Sequence, residues 1–159
     1  MEENRTEYFE EAVSAMHELY GRDVAMSLAT VSDYRPNIRM VNAYFKRDAF
    51  YIVSYALSNK VKELRLNPNT ALNHLLFVAH GVGADLGHPL AEQNLSMRAE
   101  LKEVFSAFYG KHVNEQDKNT CILKISLTDA LVFAHDYKYL VDFTHQTASR
   151  IPFVTDIIL

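Results

Sequence analysis

The sequence contains no tryptophan and a single cysteine, Cys121, so no intrachain disulfide can form. That usage suits a reducing compartment. Glycine and proline are scarce, five and four in 159 residues, and no repeat, low-complexity tract or linker interrupts the chain. A hydrophobic fraction of 48% is that of a globular chain and not of a disordered one. One domain over residues 1–159 is expected, since domains commonly hold about 100–200 residues. Long hydrophobic runs are also missing. The longest, around Leu75 to Ala79, falls far short of the roughly 20 residues of a membrane helix, so no membrane partner is expected. The opening residues, MEENRTEYFEEA, are acidic and amphipathic, whereas a secretory signal is basic and then apolar. A cytoplasmic location follows as an expectation. Positive charge is not in excess either: the formal net charge of −4 argues against a nucleic-acid partner, because phosphate backbones demand a basic face.

What is present is apolar and periodic. The hydrophobic fraction is 48%, and a chain of this length buries about 70% of the surface its unfolded form exposes. Tyr8, Phe9, Ala12, Val13, Met16, Leu19 and Tyr20 recur at helical spacing, with Thr6 placed as N-cap and Gly21 as C-terminal cap. The period then changes to two. Val24 to Val31, Asn37 to Phe45 and Ala49 to Ser54 read as strands joined by short turns, which makes them antiparallel neighbours. Ser58 opens a short helix, Asn59 to Leu66, stopped by Asn67-Pro68. Further strands are predicted at Thr70–Val78, Ala79–Gly87, Thr120–Leu127, Ala130–His135 and Tyr139–Phe143, and a helix at Pro89–Tyr109 ended by Gly110. Ile151 to Leu159 is apolar but too short to assign. Many short strands with hairpin connections imply a mainly β fold with flanking helices, closed as an antiparallel barrel.

Few residues point to chemistry. Cys121 alternates with Leu123, Ile125 and Leu127 and reads as a buried, inert thiol. The seven histidines lack metal-ligand spacing, so no metal is expected. Gly81, Gly83 and Gly87 miss the spacing of a dinucleotide fingerprint and read as kinks or places of close backbone approach. One constellation stands out. Arg39 lies within a strand, and Ser58 and Lys60 stand at the start of the following helix. A helix N-terminus, a hydroxyl and two cations together suit an anion, phosphate above all. The alternative reading is an N-cap serine beside two solvated cations.

The ordered set Arg39-Met40-Val41-Asn42, Phe50-Tyr51-Ile52-Val53-Ser54, Ser58-Asn59-Lys60-Val61-Lys62-Glu63-Leu64 and Asn67-Pro68 resembles the FMN-binding core of the pyridoxamine 5′-phosphate oxidase-like split-barrel superfamily, in particular its short, general-stress-protein-like members. The resemblance implies an α+β fold built on an antiparallel six-stranded split barrel, and a homodimer with FMN at the interface. It implies that Arg39, Ser58 and Lys60, with Asn59 between the last two, hold the phosphate, while Met40, Val41, Asn42, Val53 and Ser54 line the ribityl chain and ring edge. The implied activity is that of a flavin-dependent oxidoreductase acting on a small molecule. The alternative is a non-enzymatic module that stores flavin or heme in the same barrel. Members that oxidise pyridoxamine phosphate have an Arg-Lys pair where Asn59-Lys60 stands, a lysine where Tyr44 stands, and a C-terminal Arg/His segment unlike Ile151–Leu159. Turnover of that substrate is therefore expected to be negligible. Tyr55 and His74 are the nearest candidates for proton transfer.

Overall fold

A computed structural model describes residues 4–154. The chain order is helix α1 (Thr6–Tyr20), strands β1 (Val24–Ser32), β2 (Arg35–Lys46) and β3 (Ala49–Tyr55), helix α2 (Asn59–Leu66), strands β4 (Asn69–His74) and β5 (Phe77–Asp85), a 3-10 turn at Glu92–Asn94, helices α3 (Leu95–Val104) and α4 (Tyr109–His112), and strands β6 (Thr120–Ala134), β7 (Tyr137–Asp142) and β8 (Thr147–Pro152). The strands form one antiparallel sheet in the order β3-β2-β1-β4-β5-β6-β7-β8, and β3 also pairs with β6. That extra ladder closes six strands into a barrel and leaves β7 and β8 as an extension. The expected six-stranded antiparallel barrel is thus present, with two further strands.

Alternation explains the strands. Met26, Leu28 and Thr30 of β1 and Val41, Ala43 and Phe45 of β2 are buried, while the residues between them face outward, as a pleated strand requires. The two helices beside the barrel occupy opposite ends. At the β2–β3 turn, Met16 and Tyr20 of α1 meet a ladder of rings: Tyr20 to Phe77 at 4.7 Å, Phe77 to Phe50 at 5.9 Å and Phe50 to Phe45 at 5.2 Å between centroids. At the other end α2 buries Val61 and Leu64 against β1 and β5. Gly83 permits this approach, because a Cβ there would stand 2.3 Å from Leu64 Cδ1. A second, smaller core lies on the outside of β3 and β6, where Leu101, Phe105 and Tyr109 from the α3–α4 segment cover Ile122, Tyr51 and Val53.

Several local expectations are corrected. Thr6 is the first helical residue and Arg5 the N-cap. The hairpin between β4 and β5 turns at Leu75-Leu76, three residues earlier than the hydropathy pattern suggests. Leu75 takes φ of 54°, and Asn73 Nδ2 donates to the carbonyls of Leu75 and Phe77 at 2.9 Å each, so a side chain supplies what turn residues usually supply. The helix after Pro89 breaks at Phe105–Phe108, where both rings turn into the outer core, and Gly110 lies inside α4. Thr120 to Ala134 is one strand, bent by a bulge opposite His80-Gly81. Ile151 and Pro152 end β8, and residues 155–159 lie outside those described.

The outward face carries a particular surface. Register aligns Ile38, Ala29, Ala71, His80, Asp129 and Asp142 in one row across β2-β1-β4-β5-β6-β7, and Met40, Ser27, Asn73, Val78, Leu131 and Leu140 in the next. Ile38 and Met40 are 71% and 63% exposed. Among the described residues, no helix is long and apolar enough to cross a membrane.

Candidate functional site

The site forms where β3 runs into α2. Ser54 ends the barrel-facing side of β3 and pairs across to Cys121 of β6. The chain then turns tightly: the Ala56 amide donates to Asn119 O (2.6 Å) and the Ser58 amide to Tyr55 O (2.9 Å). Ser58 is the N-cap of α2, and its carbonyl accepts from the Val61 and Lys62 amides. Its hydroxyl makes no capping bond, and no acidic residue occupies the first turn. Among the described residues, the Oγ atoms of Ser54 and Ser58 are both buried without a hydrogen-bond partner. A buried hydroxyl left unsatisfied costs about 1–3 kcal/mol, so two on adjacent elements leave room for a polar partner, whether a water or a ligand group.

Lys60 stands beside them, half-buried. Among the described residues it makes no hydrogen bond or ion pair. Burial lowers its pKa, and the nearby Arg39 guanidinium lowers it further. Two cations close together, one of them unpaired, favour an incoming anion.

Arg39 faces into the barrel at this end. Its Nη1 donates to the Thr30 hydroxyl (2.5 Å) and to the carbonyls of Asn37 (3.3 Å) and Leu28 (3.4 Å). Its Nη2 lies 3.5 Å from Glu63 Oε2, on α2. Glu63 in turn accepts from Thr30 Oγ1 (2.5 Å) and Asn37 Nδ2 (3.1 Å). These bonds, the Thr30 hydroxyl first, hold the Glu63 carboxyl below the usual carboxylate range, against the opposing effect of burial.

Ser54 and Lys60 open into a cavity of about 420 Å³, a size within the usual range for small-molecule sites. Val53 and Tyr55 form the near wall; Phe108, His112, Val113, Asn114, Asp117 and Thr120 form the rest. The far wall is tied down. Arg98 grips Glu115 through Nε (2.6 Å) and Nη2 (2.8 Å), and the Tyr109 hydroxyl donates to the same carboxylate at 2.9 Å. The Glu115 carboxyl is held at about 2 chiefly by Arg98. Thr120 Oγ1 donates to Asn114 O at 2.5 Å, and His88 Nε2 donates to Asp117 O at 3.0 Å.

The sequence-predicted residues divide into three groups. Ser54, Lys60 and Val53 line one cavity; Ser58, the N-cap of α2, stands two residues before Lys60, and Arg39 lies near enough to act on the Lys60 charge. Val41 is buried in the barrel core. Met40 and Asn42 project from the outer face of β2: Met40 Sδ accepts from the Ser27 hydroxyl at 3.4 Å, and Asn42 Nδ2 donates to Asp23 Oδ1 at 2.7 Å. Asn59 is exposed. His74 belongs elsewhere, in a separate cavity of about 520 Å³ between the end of α1 and the β4–β5 turn.

No family model matches the chain, and no curated protein does. Solved structures do match. General stress protein 26 from Bacillus anthracis superposes with a TM-score of 0.54 at 16% identity, over 78% of this chain and 92% of that one. An FAD-binding protein from Mesorhizobium loti gives 0.60 at 14% identity, over 88% and 94%. The chain has the split-barrel fold of the pyridoxamine 5′-phosphate oxidase-like proteins. The heme storage protein HutZ from Vibrio cholerae gives 0.57 at 13% identity, over 75% and 89%. Within this split barrel, the reading of the sequence missed Thr30, Glu63 and the whole far wall. Thr30 carries a faint signal, a polar residue at an inward strand position. Glu63 follows Lys60 by three residues, which places both on one helical face. Phe108 to Thr120 sits outside the barrel motif and carries none.

Proposed function

We propose that this split barrel binds FMN and serves as a flavin-dependent oxidoreductase on a small-molecule substrate. The observation that carries the reading is the pair of buried, unpartnered serine hydroxyls beside a half-buried, unpaired lysine at a helix start. These groups fit a phosphate: Ser54 and Ser58 offer hydroxyl donors, Lys60 a charge, α2 its uncapped first turn, and Arg39, held by its own hydrogen bonds and faced by Glu63, a second positive charge nearby. Val53, Phe108 and Val113 suit an apolar ring, and Tyr55, His112 and Asn114 stand within the same cavity to orient a substrate or hold a proton. Bound flavin supplies hydride or single-electron transfer, while the protein supplies placement and electrostatics. Met40, Asn42 and the exposed rows around them suit a second copy of the chain, and a cytoplasmic homodimer with the cofactor near that contact accommodates the outward residues as well.

The test is spectroscopic and then thermodynamic. Purified protein should show flavin absorption; a heme Soret band in its place would favour the storage alternative, which the likeness to a heme storage protein supports. Lys60→Ala should weaken FMN by roughly ten- to a hundredfold, the value of one charge-assisted hydrogen bond. Riboflavin, lacking the phosphate, should be nearly unaffected. Equal losses for both ligands would refute the phosphate role.

A further inference from the structure

We propose that Glu63 is a specificity-determining residue of the phosphate site: it neutralises Arg39 from within the chain, leaves Lys60 as the uncompensated cation, and so limits how strongly the site prefers phosphorylated over unphosphorylated ligands. The proposal rests on the flavin-phosphate reading for the identity of the ligand, but not for the location of the charges.

The geometry assigns this role. Thr30 is fully buried, and its one hydroxyl both donates to Glu63 Oε2 and accepts from Arg39 Nη1. Asn37 repeats the pattern, donating from its side chain to Glu63 Oε1 and accepting Arg39 Nη1 at its carbonyl. Two neighbouring strands thus hold the carboxylate and the guanidinium in fixed relation. Nη1 is taken up by acceptors, whereas Nη2 faces Glu63 Oε2 at 3.5 Å. Glu63 is therefore a counter-ion standing where an external anion would otherwise approach Arg39. The side chains of the pair are 24% and 14% exposed, so their field is only partly screened. Lys60, on the same helix, has no such partner.

The formal charge of the Arg39–Glu63–Lys60 cluster is accordingly one positive unit rather than two. A phosphate monoester carries nearly two negative charges at neutral pH, its second pKa being about 6. Glu63 opposes the second of those charges. Removing the carboxylate's charge while keeping its shape should release the full attraction of both cations for phosphate and do nothing for a ligand without one.

The experiment compares the wild-type chain with Glu63→Gln, Glu63→Ala and Glu63→Asp. FMN and riboflavin are titrated by fluorescence quenching. Inorganic phosphate is titrated separately by its effect on thermal unfolding. Both neutral variants should bind FMN about tenfold more tightly, as expected for relief of one unfavourable charge interaction near a partly buried site. Riboflavin affinity should stay within about twofold of wild type by the same arithmetic, and phosphate should protect at correspondingly lower concentration. Glu63→Asp keeps the charge and should leave FMN discrimination unchanged. An unchanged or reduced ratio of FMN to riboflavin affinity in the neutral variants overturns the proposal, as does parallel loss of both ligands, which is the signature of a residue that merely anchors α2. If no variant takes up flavin, the flavin reading fails, and the phosphate titration alone decides the role of Glu63: stronger protection in the neutral variants supports it, equal protection overturns it. Should Glu63→Gln not fold, Glu63→Ala carries the same expectation without an amide to place.

Discussion

The ion pair between Arg98 and Glu115 fixes the far wall of the cavity, and its strength can be measured through acid. Glu115 accepts two bonds from Arg98 and one from Tyr109, which hold its carboxyl at about 2. In an unfolded chain a glutamate titrates near roughly 4.3. A difference of about two pKa units corresponds to about 3 kcal/mol, and residual solvent at a partly exposed pair reduces this toward about 2 kcal/mol. Because the folded pKa is depressed, the contribution is complete above the unfolded value and is lost as pH falls from about 5 toward 2. Glu115→Gln keeps the shape and removes the charge. Urea denaturation of wild type and variant should therefore differ by about 2 kcal/mol at pH 7, and the difference should shrink steadily below pH 5. Taking the difference between the two proteins cancels the titration of every other carboxylate. A gap that stays constant from pH 7 to pH 2.5, or one already absent at pH 5, would refute the reasoning. Because Asn114 and Asp117 flank Glu115 on the cavity wall, the variant should also loosen the cavity. Ligand affinity should fall together with stability.

Two further outcomes are expected. If the outward rows pack against a second copy, sedimentation should give a mass near twice 18.2 kDa, and Ala29→Arg, in the middle of the row between Ile38 and Ala71, should yield monomer; a wild-type monomer that still binds flavin would refute an interface site. Tyr44 donates to Glu100, which also pairs with Lys46, so the position where oxidising members place a lysine is engaged with α3; turnover of pyridoxamine phosphate should be negligible, and sustained formation of pyridoxal phosphate would overturn that.

The barrel half of the molecule was legible because its strands alternate and its turns use polar residues. α1, α2 and the meander of β1 to β3 follow from period alone, and the placement of Ser58 and Lys60 at the start of the helix that follows β3 comes with them. The rest was hidden for identifiable reasons. The Leu75-Leu76 turn is apolar, and its polar work is done by Asn73. β8, Thr147 to Pro152, is short and mixed in character, and it is defined by pairing with β7 rather than by its own pattern. β6 reads as two strands because Thr128 and Asp129 interrupt its apolar run at the bulge. At the site, Glu63 was unremarkable as a helical glutamate; only the pairing of β1 with β2 brings Thr30 and Asn37 to its two oxygens.

The length of β6 has a consequence for synthesis of the chain. It pairs with β5 along one edge and, along the other, with β3 in its first half and β7 in its second, and it is the element that closes the barrel. A nascent chain that ends before Thr120 can assemble the sheet β3-β2-β1-β4-β5 but leaves both of its margins bare. Open margins invite pairing with other chains, and contacts spanning some seventy residues, such as Phe50 with Ile125, close slowly. The strand that seals the barrel is therefore made only after the other five barrel strands. Until β6 arrives, the cavity has no floor at Thr120, and Ser54 lacks the neighbouring strand that orders it.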